Sequence, residues 1–255
     1  MSILADLLSG IPLSQLALVW AVVVFAAVMR AFTGFGFALT AVPAFSLIMA
    51  PTDAVVLSAS LTLAVSLLTL NTYWGRFPLR PMLPMLAAAL LGSFAGAALL
   101  SAISPRQFQL WIGLAVIAAS LALSVYRPGR QPPGSWLGGA TGAVSGLLNG
   151  AFAIPGPPVI IYAMATEPEP ARSRALLMTF FLFAAVMALL SYAAAGFVSA
   201  RSPLQFLLAF PAMYLGDKLG YHLFHRFGGA LYRRVAVSVL FAVGLVMTGR
   251  ALMLG

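Results

Sequence analysis

Arg30 stands just ahead of the stretch Phe32-Thr33-Gly34-Phe35-Gly36, and the second half of the chain carries Ser145-Gly146-Leu147-Leu148-Asn149-Gly150 followed by Pro155-Gly156-Pro157-Pro158. These residue types suit one chemistry, the holding of an anion. A guanidinium forks onto sulfonate-like oxygens as it does onto phosphate. Unwound backbone at the start of a helix offers N–H donors at the positive end of its dipole. Pro157 and Pro158 carry no N–H, so the donors expected there are Gly156, Val159 and Ile160, with the Asn149 amide added. In the first half they are Gly34, Phe35, Gly36 and the amides just beyond. Phe35, Phe37 and Phe152 could shield the site or select an organic tail. On this reading Gly150→Leu abolishes transport and leaves insertion intact. The other reading of these glycines and prolines is close helix packing.

The two stretches break long apolar runs at matching places: Gly34 to Pro43 is nine residues, and so is Gly146 to Pro155. Unwound backbone at membrane depth is tolerated only where protein buries it or a watery cavity touches it. Composition puts these breaks in a membrane. Of 255 residues 62% are hydrophobic and 7% charged, against about 25% charged in a soluble domain. No cysteine is present, which excludes disulfides and thiolate metal sites. Thirteen of the fourteen basic residues are arginine, and they punctuate apolar runs rather than gather into a nucleic-acid patch. The N-terminus carries Asp6 and no early Lys or Arg, unlike a cleaved signal peptide, and residue 1 is read as mature sequence.

Apolar runs between Arg, Pro, Gly and acidic clusters predict ten helical segments, near 13–31, 38–50, 54–74, 81–101, 107–126, 136–150, 156–166, 172–196, 203–224 and 231–253. Segments 38–50, 136–150 and 156–166 fall short of the roughly 17–25 residues that a crossing helix needs and read as half-helices, crossing fully or re-entrant. With the N-terminus outside, Arg76, Arg80, Arg127, Arg130, Arg172, Arg174, Arg226, Arg233 and Arg234 lie inside, against Arg106, Arg201 and Arg250 outside. Nine against three follows the positive-inside bias. Both termini are then periplasmic in a bacterial inner membrane. Five segments per half is odd, so the halves 1–130 and 131–255 form two inverted repeats in one all-α membrane domain, split by the linker 127–134. The Gly92/Gly96 and Gly216/Gly220 pairs fall in the fourth segment of each half, 124 residues apart, and read as small-xxx-small packing sites.

Other polar residues are fewer. Ser58, Thr62 and Ser66 recur every four residues on one helix face, continued by Thr69 and Tyr73. They could line a polar path, or their hydroxyls could bond the carbonyl four residues back; Asn71 poses the same choice. Arg30 either meets the anion or snorkels at the inner face. Asp217 is read as a proton-coupling residue or as a bond to a neighbouring helix, and Asp53 as an N-terminal helix cap. Arg172 and Arg174 follow the positive-inside bias. His222 and His225 could reach one metal but find no third ligand nearby, so no metal and no cofactor are expected.

The Gly-x-Gly break followed by proline, Ser-Gly-x-x-Asn-Gly with Pro-Gly-Pro-Pro, and Glu-Pro-x-x-Ala-Arg-x-x-Ala ahead of a long helix resemble the TauE/SafE family of sulfite and organosulfonate exporters over nearly the whole chain. The family more often has a run of glycines where this chain has Gly34-Phe35-Gly36-Phe37 and Asn149-Gly150-Ala151-Phe152. The resemblance implies an inner-membrane carrier of small sulfur-containing or carboxylate anions. The function expected is secondary transport by alternating access, most simply export of sulfite, an organosulfonate or a related carboxylate, with an anion channel or a proton-coupled anion importer as alternatives. The chain has no GxxxxGK[ST] stretch and no visible catalytic dyad or metal triad, so it is read as no enzyme. The site residues expected to bind substrate are Arg30, Gly34, Phe35, Gly36, Pro43, Ser58, Thr62, Asn71, Asn149, Gly150, Phe152, Pro155, Gly156 and Pro157. The expected partners are a small anion and the lipid bilayer, with no nucleic acid, and a homodimer is left open.

Overall fold

A computed structural model describes residues 13–33, 37–125, 134–227, 238, 241–249 and 253. Nine helices follow in order: α1 Leu13–Thr33, α2 Phe37–Phe45, α3 Pro51–Leu68, α4 Leu83–Ala102, α5 Pro105–Val125, α6 Ser135–Phe152, α7 Gly156–Thr166, α8 Pro170–Ala194 and α9 Ser202–Phe227. Residues 241–249 are also helical, and no strand occurs among the described residues. Four stretches, Ser14–Ala31, Pro51–Leu68, Arg80–Ala102 and Pro170–Ala194, are long and apolar enough to cross a membrane. Large apolar side chains such as Leu91, Trp111, Trp136 and Leu207 face outward. Such a surface suits lipid. The chain is an all-α membrane protein.

The sequence explains where these helices begin and end. Proline opens α3, α5 and α8, where its missing N–H is no loss. Helix α8 closes at Gly196, whose φ of +75° lets Phe197 N donate back to the Tyr192 carbonyl at 2.9 Å. Predicted segment 156–166 matches α7 to the residue, and most other boundaries lie within a few residues. Segment 231–253 falls largely outside the described residues.

The structure corrects several expectations. Helix α6 has 18 residues, more than expected, because Ser145-Gly146-Leu147-Leu148-Asn149-Gly150 is wound into it. The second break is confined to Ala153, Ile154 and Pro155. Pro43 lies inside α2, so it marks no break. The break expected at Gly34, Phe35 and Gly36 lies outside the described residues. Asp53 caps nothing: the N-cap position of α3 is Ala50, and Asp53 sits in the first turn without a capping bond, where its charge still favours the dipole.

Two of the helix pairs seamed by glycine are α4 with α6 and α1 with α9. A Cβ on Gly92 would meet Ala143 O at 2.6 Å, and one on Gly146 would meet Ala89 Cα at 2.7 Å, so α4 and α6 touch backbone to backbone. Gly216 faces Val24 and Ala27 while Gly220 faces Val28 and Ala31, which closes α9 onto α1. Residue numbers rise together along each contact, so both pairs are parallel. The packing role expected of Gly92/Gly96 and Gly216/Gly220 holds. In each pair the first helix of one half meets the fourth of the other. Between the pairs, α3 packs on α8.

Each broken segment turns back on itself. Gln15 at the start of α1 donates through Nε2 to the Ile48 carbonyl after α2 at 3.1 Å, so α1 and α2 run antiparallel. In the second half Gly138 near the start of α6 lies under the Tyr162 hydroxyl of α7. The end of α1 and the start of α2, and residues 153–155 between α6 and α7, therefore lie at the tips of two hairpins.

Candidate functional site

The second break is built by local backbone bonds. Ala153 adopts φ 56° and ψ 27°, a left-handed conformation that costs a non-glycine residue about 1–2 kcal/mol. It is held there because Ala153 N donates to Asn149 O at 2.7 Å and Ile154 N to Leu148 O at 3.2 Å. The Asn149 carbonyl also accepts the buried Tyr192 hydroxyl at 2.6 Å, and Ser145 Oγ donates to Pro155 O at 2.9 Å. Chain direction then reverses into α7, whose N-terminus has no side-chain cap. We expect Ala153→Gly to raise thermal stability by about 0.5–1 kcal/mol, the relief of left-handed strain less the entropy cost of glycine, as read by the unfolding midpoint in detergent.

Residues from both hairpin tips line one central cavity. Phe37, Ala38 and Leu39 at the start of α2 face Ala153, Ile154, Pro155 and Gly156, with Thr62 and Ser66 of α3 and Met178, Phe181 and Ala185 of α8 forming the sides. The cavity measures about 50 Å³, enough for a few waters when one needs about 10–15 Å³. Arg30 enters its wall from the last turn of α1. The N-termini of α2 and α7 both open here, so two helix dipoles present their positive ends to the same space. Thr62 Oγ1 is buried and has no hydrogen-bond partner among the described residues, and so are Thr40 Oγ1 and Ser58 Oγ nearby on α2 and α3.

A second, larger cavity of about 540 Å³ lies beyond Arg30 and Met178, which line both spaces. Its wall carries Thr69, Tyr73, Arg76, Arg174, Asp217 and Tyr221. Arg30 Nη1 donates to Asp217 Oδ1 at 2.8 Å, and the two side chains are 11% and 28% exposed. Asp217 thus bonds a neighbouring helix, α1. Of the face read from Ser58, Thr62, Ser66, Thr69 and Tyr73, Thr62 and Ser66 line the central cavity and Thr69 and Tyr73 the second, whereas Ser58 is buried beside them and lines neither. Thr69 bonds the carbonyl four residues back, at 2.7 Å, whereas Thr62 does not.

Several expected site residues stand elsewhere. Pro43 is buried in α2 and its carbonyl accepts Ser46 Oγ at 2.7 Å, away from the cavity. Asn71 is exposed in the short turn Leu70–Thr72, past the end of α3. Phe152 packs on Phe108 with ring centroids 5.4 Å apart and does not line the cavity. Gly150 is wedged against Ser93 and Ala97 of α4. Pro157 is buried in the first turn of α7 without lining the space. Asn149 does line it, but its amide nitrogen already donates to Ser93 Oγ at 3.1 Å and Ala184 O at 2.8 Å. Its work is to tie α6 to α4 and α8. Asn149→Leu is expected to lower stability by about 1 kcal/mol, within the range seen for interhelical bonds in membranes, measured by thermal unfolding in detergent.

Arg172 pairs with Glu167 at 3.2 Å, and His222 is exposed; His225's side chain is outside the described residues. No group of three metal-binding side chains forms among the described residues. The α8 wall, Met178, Phe181 and Ala185, was not foreseen. Its spacing of three and four residues marks one helix face, but apolar types gave no hint that the face meets a cavity.

The family described as sulfite exporter TauE/SafE matches residues 19–247. A protein of Cupriavidus necator, described as a probable sulfite/organosulfonate exporter TauE, is 29% identical over 146 residues, a stretch covering 57% of this chain and 57% of that protein. The matched stretch thus spans little more than half of the relative's length. No solved structure matches. Since the family match takes in both hairpins and every helix between them, this chain belongs to the TauE/SafE family of transporters.

Proposed function

We propose that the chain is a secondary transporter that exports a small anion, sulfite, an organosulfonate or a related carboxylate, across the bacterial inner membrane by alternating access. The observation that carries this reading is the single cavity into which both hairpin tips, two helix N-termini and Arg30 converge. Its volume suits an anion of a few heavy atoms. The helix pairings support two inverted repeats, 1–130 and 131–255: α1 on α9 answers α6 on α4, with α3 packed on α8 between them. Rocking of the glycine-seamed pairs about α3 and α8 would expose the cavity to one side and then the other. With the N-terminus outside, the arginine-lined space faces the cytoplasm. A membrane potential negative inside drives a monoanion outward by about 2.3 kcal/mol per 100 mV, so export needs no coupled ion.

The proposed ligand set is Arg30 with the amides at the α2 and α7 N-termini and the Thr62 hydroxyl. Arg30 and Met178 stand between the two cavities, which favours a gated carrier over an open channel. Counterflow of labelled sulfite and of sulfonates in proteoliposomes, with and without an imposed voltage, tests the reading. Saturable counterflow, faster outward from the arginine side, is the expected result. Unsaturable current in a planar bilayer would replace the carrier with a channel, and no flux of any small anion would end the proposal.

A further inference from the structure

We propose that the arginine-lined vestibule is a second, loading site for the anion, in which Arg76 and Arg174 receive it and Asp217 holds Arg30 until the anion takes its place. The inference rests on the transport reading above. Three arginines and one carboxylate line a space of about 540 Å³. Arg76 and Arg174 make no ion pair with a described residue, whereas Arg30 is paired. The wall thus keeps a net positive charge that draws anions inward from the mouth. Arg174 and Arg30 line the same space, so an anion held at Arg174 faces the inner guanidinium.

Asp217 is the resident counter-ion at the inner end. It lines the vestibule and not the central cavity, while Arg30 lines both. The contact joins one guanidinium nitrogen to one carboxylate oxygen, weaker than the two-point fork a sulfonate or carboxylate can make. Gly216 and Gly220, on either side of Asp217, clamp α9 against α1, so the pair opens by side-chain rotation and not by helix separation. An incoming anion therefore competes with a tethered carboxylate for the same donor. Filling the central cavity and freeing Asp217 become one event. Emptying it restores the pair, which spares Arg30 from standing unpaired and largely buried.

The experiment compares sulfite counterflow by the full chain, reconstituted with known orientation, for wild type, Asp217→Asn and Arg174→Gln. Removing the competitor should lower KM for sulfite about tenfold and slow turnover, because release loses its replacement ligand. Arg174→Gln should raise KM from the vestibule side alone and flatten its salt dependence. Asp217→Glu, which keeps the carboxylate, should stay near wild type. Asp217→Ser repeats the Asn result if that variant does not insert. A structural role for the pair would lower the amount of folded protein without a KM decrease. Wild-type flux with KM unchanged or raised in both Asp217→Asn and Asp217→Ser overturns the loading site alone. A wild-type protein that carries no anion overturns the transport reading and this inference together.

Discussion

Gly150→Ala is expected to destabilise the folded protein more than any other single methyl group added to the chain. A Cβ there would overlap the Ser93 carbonyl oxygen and stand 2.7 Å from Ala97 N. Both are main-chain atoms that cannot rotate away. Helix α4 must shift as a body, and the overpacking cost sits near the upper end of the usual range, about 3 kcal/mol. The same shift pulls Ser93 from Asn149, whose bond at 3.1 Å ties the seam to the break. Monodispersity and the unfolding midpoint in detergent check this: both should fall for Gly150→Ala. Gly139→Ala on the same helix, where nothing lies within 4 Å, should be neutral. Loss of transport in Gly150→Leu would therefore report a broken helix seam, not a spoiled ligand cradle.

Arg30→Gln should cost transport more than any other side-chain change that preserves the fold. A charge-assisted hydrogen bond contributes about 1.5–3 kcal/mol, so anion affinity should drop about 10- to 100-fold. The substitution also strands Asp217, so expression is expected to fall. Arg30→Gln combined with Asp217→Asn should recover the folded protein without recovering flux. That separation is the useful readout, because a purely structural ion pair would recover both. Initial rates of sulfite counterflow, normalised to folded protein, check it. Full activity in the double variant would remove Arg30 from the site.

Particular residues show why the fold was more legible than the site. Helix spans in a membrane are written in runs of apolar residues ended by Pro, Gly and Arg, and these place α7 without error and α8 within two residues. The glycine pairs at 92/96 and 216/220 were readable because only small residues permit such an approach. Asn149-Gly150 misled for a physical reason. Glycine in a membrane helix serves either unwinding or close packing, and only the partner helix decides. Here α4 fills the groove, so the chain stays helical through Phe152 and unwinds at Ala153, a residue with no conformational signature of its own. The bond between Arg30 and Asp217 was equally hidden, since no local rule links residues 187 positions apart. Ser58 and Thr62 could be placed on one face by spacing, but that their hydroxyls find no partner among the described residues depends on where the hairpin tips settle.

The parallel seam between α1 and α9 has a consequence for biogenesis. Arg30 is synthesised 187 residues before its counter-charge, and ribosomes add about 5–20 residues per second. The first helix must therefore wait about 10–40 s in the bilayer with an uncompensated guanidinium, held at the water boundary or by the insertion machinery. Closure of the fold is thus a late, post-insertion step, and a nascent chain halted before residue 217 should leave α1 exposed to water-borne thiol reagents at an engineered cysteine near Arg30.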